Sequence, residues 1–174
     1  GTFDRLLGVI LPPVTPPNFS ESEQQLTAAA LADLDGDGNL DLVAAAHTVN
    51  NVSVYDAEYD TYYEEQVLDG YLNVFRGYGD GTFGTAIVEY LGQDWDVRNL
   101  ATADYDGDGR ADVVSRGQMD FGAWGLSVRL GNGDGTVQPP RETYVGVWGP
   151  WVVMPTPVWD FDRDGKLDLL MVDY

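Results

Sequence analysis

Three short segments of this sequence are rich in aspartate, a residue type that binds metal ions. Each places aspartate at positions 1, 3, 5 and 9 of a nine-residue loop and glycine at position 6, and the loops begin at residues 33, 104 and 160. Carboxylates this close together repel one another unless a cation lies among them. Ca²⁺ accepts six to eight oxygen ligands in flexible geometry, whereas Mg²⁺ demands a tighter octahedron. The spacing therefore predicts three calcium-binding loops.

The predicted ligands of each loop are its four carboxylates and the main-chain carbonyl at position 7. The residue type at position 7 differs in every copy, so only its backbone oxygen serves all three loops alike. The glycine at position 6 is predicted to adopt positive φ, where a Cβ would clash. The full set is Asp33, Asp35, Asp37, Asn39 and Asp41, then Asp104, Asp106, Asp108, Arg110 and Asp112, then Asp160, Asp162, Asp164, Lys166 and Asp168.

An EF-hand or dockerin loop shares the first six positions of this pattern. Such a loop ends on an acidic ligand at position 12, and that position holds Ala44, Ser115 and Met171 in the three copies. The apolar runs that follow the loops, such as 40–46 and 111–114, are short and typical of buried strands rather than helices. Ordinary Asp-Gly turns are the alternative for any single copy, and three matching copies disfavour it.

The composition is that of an acidic globular protein. The 174 residues are 44% hydrophobic, which is enough to bury a core. A net charge of −20 disfavours nucleic acid and anionic membranes as partners, and no long apolar span predicts membrane insertion. Cysteine is absent, so metal binding would take the stabilising role of disulfides. Calcium loops of low affinity indicate a secreted or cell-surface location, where calcium is abundant.

A second motif alternates with the acidic loops. Gly-x-Gly-Asp-Gly-Thr occurs at residues 77–82 and 131–136 between strand-like runs, and it predicts hairpin turns in which Asp80 and Asp134 are turn residues rather than ligands. The repeating unit is strand, acidic loop, strand, strand, hairpin, strand. Four short strands per unit at this period are typical of β-propeller blades. The predicted fold class is all-β, a partial propeller with about three blades' worth of four antiparallel strands.

The repeat boundaries predict a single array. Because ring closure takes roughly four to eight blades, we expect the remaining blades from the same longer chain or from other copies. One insertion is acidic and carries four tyrosines. This composition is compatible with a surface hairpin whose tyrosines pack on their own neighbours, or with an added binding function. The predicted segments are 1–10 as the outer strand of a preceding blade, 24–91 as the first blade with this insertion at 48–70, 97–147 as the second, and 151–174 as the first half of a third.

The two motifs together resemble the FG-GAP/VCBS repeat family. In that family an Asp-x-Asp-x-Asp-Gly-x-x-Asp loop joins the first two strands of a blade, and a Gly-x-Gly-Asp-Gly-Thr-Phe hairpin joins the last two. The resemblance implies a seven-bladed propeller with calcium in the blade loops, as in secreted bacterial proteins and integrin α-subunit heads. The segment 85–87 departs from the integrin pattern, and Val137-Gln138 replaces Phe-Gly in the second copy. These departures make the bacterial secreted type look nearer.

Three functions are compatible with these features. The favoured one is a non-catalytic, calcium-binding extracellular module with a structural, adhesion or ligand-binding role toward a glycan or protein. The second is a fragment of a propeller-type polysaccharide lyase, and the third is an architectural or filament subunit joined through half-blade ends. The candidate residues of the lyase are His47, Tyr55, Tyr59 and Arg98. The tryptophans that would stack on sugar rings, or instead pack between blades, are Trp95, Trp124, Trp148, Trp151 and Trp159.

Overall fold

Every regular element of the described chain is a β-strand. The structure is a computed structural model that describes residues 24–93, 95–118, 124–144, 153–163 and 168–172. Within these ranges no helix is long and apolar enough to cross a membrane. The strands are β1 (Gln25–Ala32), β2 (Asp41–Asp56), β3 (Thr61–Gly77), β4 (Phe83–Gln93), β5 (Asp96–Ala103), β6 (Asp112–Gln118), β7 (Trp124–Arg129), β8 (Arg141–Tyr144), β9 (Val153–Trp159) and β10 (Asp168–Val172).

The strands form two antiparallel meanders and a hairpin. The first sheet has the order β1-β2-β3-β4, the second has the order β5-β6-β7-β8, and β9 pairs with β10. All of these pairings are antiparallel and join strands that are consecutive in the sequence. Four-stranded antiparallel meanders of this kind are the blades of propellers. The predicted all-β fold of propeller-type blades is therefore confirmed, while the predicted strand at residues 1–10 lies outside the described residues.

The second strand of each four-stranded sheet is buried in the segment that follows the acidic loop. In β2 the residues from Val43 to Ala46 are all buried, and in β6 every residue from Asp112 to Gly117 is buried. A strand covered on both faces reads as a continuous apolar run rather than an alternating one. The segments that follow the first two acidic loops are continuous apolar runs of this kind. Each of these loops is therefore joined at its C-terminal end to a buried strand.

The two sheets pack face to face through one shared core. Two backbone-directed hydrogen bonds also join them: the Thr102 hydroxyl donates to the Leu31 carbonyl at 3.1 Å, and the Gly135 amide donates to the Leu34 carbonyl at 3.0 Å. Leu34 lies in the first acidic loop and is only 1% exposed, and burial of such a side chain contributes about 1.5–3 kcal/mol. The acidic loop is thereby tied to the neighbouring sheet. The core consists of Ala32, Leu34, Val43, Leu72, Val74 and Val113.

The first sheet continues into a two-stranded ribbon. Strands β2 and β3 are 16 and 17 residues long, and they stay paired from Leu42↔Phe75 to Asp56↔Thr61. β1 pairs with β2 only as far as His47, and β4 pairs with β3 only from Asp69 onward. The segment 48–70, predicted as an insertion, thus consists of the outer parts of these two strands and the turn between them. We call residues 51–66 the ribbon tip.

Candidate metal centre

Among the described residues, two acidic loops each bring three carboxylates together. The loops connect β1 to β2 and β5 to β6, so the buried second strand of each sheet fixes one end of its loop. Oxygens of the three carboxylates lie within 4.8 Å of one another in each loop. We call these groups the carboxylate triads; they are Asp33, Asp35 and Asp37 in the first loop and Asp104, Asp106 and Asp108 in the second.

The first triad is held in place by the backbone of its own loop. Asp33 accepts hydrogen bonds from the amides of Gly36 at 2.8 Å, Asp37 at 3.1 Å and Gly38 at 2.9 Å. Asp35 and Asp37 each accept the amide of the residue two positions on. Gly38 has a φ of 87°, as predicted for position 6. The chain therefore wraps around the first carboxylate and directs all three toward one point.

The second loop repeats this network almost contact for contact. Asp104 accepts the amides of Gly107 at 2.7 Å, Asp108 at 3.0 Å and Gly109 at 2.8 Å. Asp106 and Asp108 accept the amides two residues further on, at 3.2 Å and 2.9 Å. Gly109 has the same φ of 87°. One nine-residue pattern thus produces one geometry at both sites.

The position 9 carboxylate lies outside the triad and bridges two strands. Asp41 is 1% exposed and accepts the Leu34 amide at 2.9 Å and the Gly77 amide, at the end of β3, at 2.8 Å. Asp112 makes the corresponding two contacts in the second sheet, both at 2.8 Å. Each carboxylate oxygen can accept more than one bond, so these contacts leave lone pairs for a metal ion. A ligand role for these residues stays a prediction. Their contacts show a second task, which is to tie the loop to the third strand.

Burial acts against the charge of this bridging carboxylate. Burial raises the pKa of Asp112, while the donated amides of Gly131 and Tyr105 act in the opposite direction. The carboxylates of Asp106 and Asp108 also raise the pKa of Asp112. An ion among the carboxylates would reverse this last effect. The second loop therefore carries unfavourable charge that a divalent cation would offset.

The donor set fits Ca²⁺. Calcium binds carboxylate and carbonyl oxygens at about 2.3–2.6 Å, so two oxygens on one ion lie at most about 5 Å apart. The triads, with oxygens within 4.8 Å of one another, meet this limit. The predicted carbonyl ligands belong to Asn39 and Arg110, whose amides donate to the triads. Binding of Ca²⁺ by these carbonyls, as by all the predicted ligands, stays a prediction.

An arginine from the third strand contacts the first triad. The Arg76 Nε lies 2.9 Å from Oδ2 of Asp35, and its NH2 lies 2.8 Å from Oδ2 of Asp37. These are the distances of strong, charge-assisted hydrogen bonds. The Arg76 hydrogen bond holds the pKa of Asp37 below its usual range, assisted by the Asn39 amide. The first triad thus has its own positive partner.

The second triad has a weaker positive partner. Leu130 precedes Gly131 just as Arg76 precedes Gly77, so the strand beside the second loop offers no charge at this position. Arg110, within the loop, makes one contact of 3.4 Å to Asp108. The two triads therefore share a backbone network but differ in electrostatic surroundings.

The third loop lies partly outside the described residues. Asp160 and Asp162 are described, and Asp168 begins β10 opposite Trp159. Asp164, Lys166 and the glycine at position 6 are outside the described residues. Arg163 occupies position 4, where the other loops have glycines at φ of 74° and 79°, and it adopts a φ of 64°.

We expect Arg163→Gly to stabilise the protein by about 1 kcal/mol, because left-handed backbone costs a residue with a Cβ roughly 1–2 kcal/mol. Urea unfolding at fixed calcium concentration measures the change. Arg163→Ala is the matched control, since it removes the charge but keeps the Cβ, and it should give little gain. A gain of equal size in both variants would contradict the backbone explanation.

The two glycine-rich hairpins hold their aspartates as turn residues. Asp80 accepts the Thr82 amide at 2.9 Å, and Asp134 accepts the Thr136 amide at 3.0 Å. The threonine hydroxyls donate to the same carboxylates, and these bonds lower the pKa of both aspartates. Neither aspartate belongs to a group of converging carboxylates in the described chain. The contacts match the predicted role in the turn.

The residues proposed for a lyase do not come together. His47 Nδ1 lies 3.1 Å from Oδ1 of the buried Asp96, and Arg98 pairs with the other oxygen of the same carboxylate. Tyr55 is eight residues further along β2, roughly 26 Å at the rise of an extended strand. Tyr59 lies beyond Tyr55, at the ribbon turn. The histidine and arginine thus share an inter-sheet polar cluster, and the tyrosines belong to a different part of the molecule.

Trp95 and Trp124 are buried and pack against neighbouring side chains. Trp95 is buried against Ala45 and Val97, and the Trp124 ring lies 4.0 Å from the Arg116 guanidinium. Both rings are less than a tenth exposed and offer no open face to a sugar. Trp148 and Trp151 lie outside the described residues, and for Trp159 only the backbone is described.

Sequence reasoning missed Arg76 and the bridging role of Asp41 and Asp112. Arg76 is 39 residues from Asp37, one of the two aspartates that it contacts, so its position beside the loop depends on strand pairing. One signal was present: Arg76 stands immediately before the glycine that begins the hairpin motif, and the acidic loop and that hairpin lie at the same end of a four-stranded meander.

One comparison with known proteins found a match, and it covers part of the chain. Residues 66–115 match the family model described as an FG-GAP-like repeat. The match runs from β3 through β4, β5 and the second acidic loop into β6, so it includes one complete carboxylate triad. No curated protein and no solved structure was found to match the chain. The predicted nearness to the bacterial secreted type stays a prediction. The chain therefore contains an FG-GAP-like repeat at residues 66–115, and its two four-stranded antiparallel meanders are consistent with β-propeller blades.

Proposed function

We propose that this chain is a calcium-binding module of an extracellular protein, in which Ca²⁺ stiffens the blade corners and the blades carry a ligand-binding or adhesion surface. The observation that supports calcium most strongly is the repetition of one carboxylate triad in one backbone network at two separate loops. Bound Ca²⁺ would supply the positive charge that offsets the repulsion among the aspartates. The FG-GAP-like repeat supports the extracellular part of the proposal, since the family resemblance implies secreted or cell-surface proteins.

Isothermal titration with Ca²⁺ tests the metal proposal. We expect saturable binding that weakens when Asp35 or Asp106 is replaced by asparagine, because each change removes one charged ligand of one triad. Asp80→Asn is the matched control, since it removes the same charge from a turn aspartate. Equal loss of affinity in the control, or no binding heat in the unmodified protein, would contradict the proposal.

The two loops should bind calcium with different affinities. The Arg76 guanidinium occupies two triad oxygens in the first loop, so it competes with the ion, whereas the second loop has Leu130 at that position. We expect Arg76→Leu to raise the calcium affinity of the first loop several-fold, and Leu130→Arg to lower that of the second. Each swap is titrated with the other described triad disabled by Asp→Asn. Unchanged affinity in both swaps would show that Arg76 does not compete.

A further inference from the structure

The ribbon tip exposes tyrosines that a structural blade has no need to expose. Tyr55, Tyr59, Tyr62 and Tyr63 are between 48% and 72% exposed, and every residue of 57–66 is exposed. Only Tyr55 and Tyr62 pack on each other, with ring centroids 5.1 Å apart. Exposed aromatic surface of this kind, rimmed by polar residues, marks interaction sites.

The tyrosines stand on both faces of the ribbon. Directly paired residues of an antiparallel ribbon share a face. Tyr55 pairs with Tyr62, while Tyr63 pairs with Val54 and so lies on the opposite face. Because no described part of the chain covers either face of the tip, a partner would meet aromatic rings from either side.

The ribbon tip is also uniformly acidic. Residues 51–66 include Asp56, Glu58, Asp60, Glu64 and Glu65 and contain no lysine or arginine. Glu64 and Glu65 are neighbours on one strand, so they point to opposite faces and do not converge on a single ion. The acidic groups are therefore distributed along the ribbon. This distribution suits a partner that carries several positive charges.

The edges of the ribbon tip are open in the described part of the chain. Beyond His47 on β2, and before Asp69 on β3, the described strands pair only with each other. Unpaired strand edges accept an added extended segment. Two isolated strands are marginally stable in water, so an added strand would also support the ribbon itself.

We propose that the ribbon tip docks an extended, lysine- or arginine-rich segment of another protein. The segment's cationic side chains would contact the tyrosine faces and the acidic groups, and its backbone would pair with an open edge. A second copy of this chain is disfavoured, because both ribbons are acidic and each chain carries a net charge of −20. This inference rests on the ligand-binding part of the proposed function and is independent of calcium.

Fluorescence anisotropy with a labelled short peptide of alternating lysine and threonine tests this docking, with the whole chain in calcium-containing buffer. We expect binding that weakens with added salt, and a loss of about tenfold in affinity in the Tyr55→Ser/Tyr62→Ser variant, as two lost cation–π contacts predict. Glu64→Gln/Glu65→Gln should also weaken binding and reduce its salt dependence. A peptide of alternating glutamate and threonine should not bind.

Matched controls separate the ribbon tip from the general acidity of the chain. Tyr78→Ser removes an exposed tyrosine from the β3–β4 hairpin, and Asp80→Asn/Asp134→Asn makes the same charge change as the glutamate variant. Equal weakening in these controls, or no peptide binding at all, would overturn the proposal, provided that circular dichroism shows folded protein. Peptide binding without any calcium binding would refute the metal proposal alone, and the converse would refute the docking proposal alone.

Discussion

EGTA should lower the thermal unfolding midpoint of this protein by about 10–20 °C relative to calcium-saturated buffer. A site held at a hundred times its dissociation constant stabilises the fold by about 2.7 kcal/mol, and we add the contributions of the two described triads because they share no residue. One kcal/mol shifts the midpoint of a domain of this size by roughly 2–4 °C. Differential scanning calorimetry measures the shift directly.

The direction of this shift follows from the charges of the loops. Each loop places four aspartates in nine residues, and of the two described triads only the first is paired with an arginine at less than 3 Å. Without an ion, Arg76 offsets part of the repulsion among the aspartates of the first loop, and little offsets it in the second. Asp106→Asn should reduce the difference between calcium and EGTA by about half, because it disables one of the two described sites. The same midpoint in both buffers would contradict the prediction.

Asp112→Ala should destabilise the protein by about 4 kcal/mol even in EGTA. The Asp112 carboxylate accepts the buried amides of Tyr105 and Gly131, both at 2.8 Å. Each buried amide left without a partner costs about 1–3 kcal/mol. Urea unfolding in EGTA isolates this loss from any metal effect.

The matched control for this prediction lies in the same loop. Asp106 is in the triad and accepts one amide at 3.2 Å on the loop surface. In EGTA, Asp106→Ala should change the free energy of unfolding little, because the change also relieves repulsion from its acidic neighbours. In calcium it should become clearly destabilising. Equal losses for Asp112→Ala and Asp106→Ala in EGTA would show that the bridging contacts do not hold the loop.

The strands and the loops were predictable because their chemistry is local. Position-by-position repetition of aspartate and glycine specifies the turn, and the apolar runs that follow specify buried strands. The triads and the positive φ of Gly38 and Gly109 follow from that nine-residue pattern alone.

The features that were missed depend on contacts between distant residues. The bridge from Asp41 to the Gly77 amide joins residues 36 apart, and it requires the register of β2 against β3. The salt bridges of Arg76 depend on the same register. The ribbon was predicted as an insertion, with a surface hairpin as the alternative, but its length and its continuous register from His47↔Gly70 to Asp56↔Thr61 have no local sequence motif.

The most direct test of the account is a crystal structure of the protein grown in calcium, with anomalous diffraction data that locate the ion. We expect anomalous density enclosed by Asp33, Asp35 and Asp37 and by Asp104, Asp106 and Asp108, in loops that keep the backbone hydrogen bonds described here. Triads without anomalous density at saturating calcium would contradict the proposal that metal binding stabilises these blades.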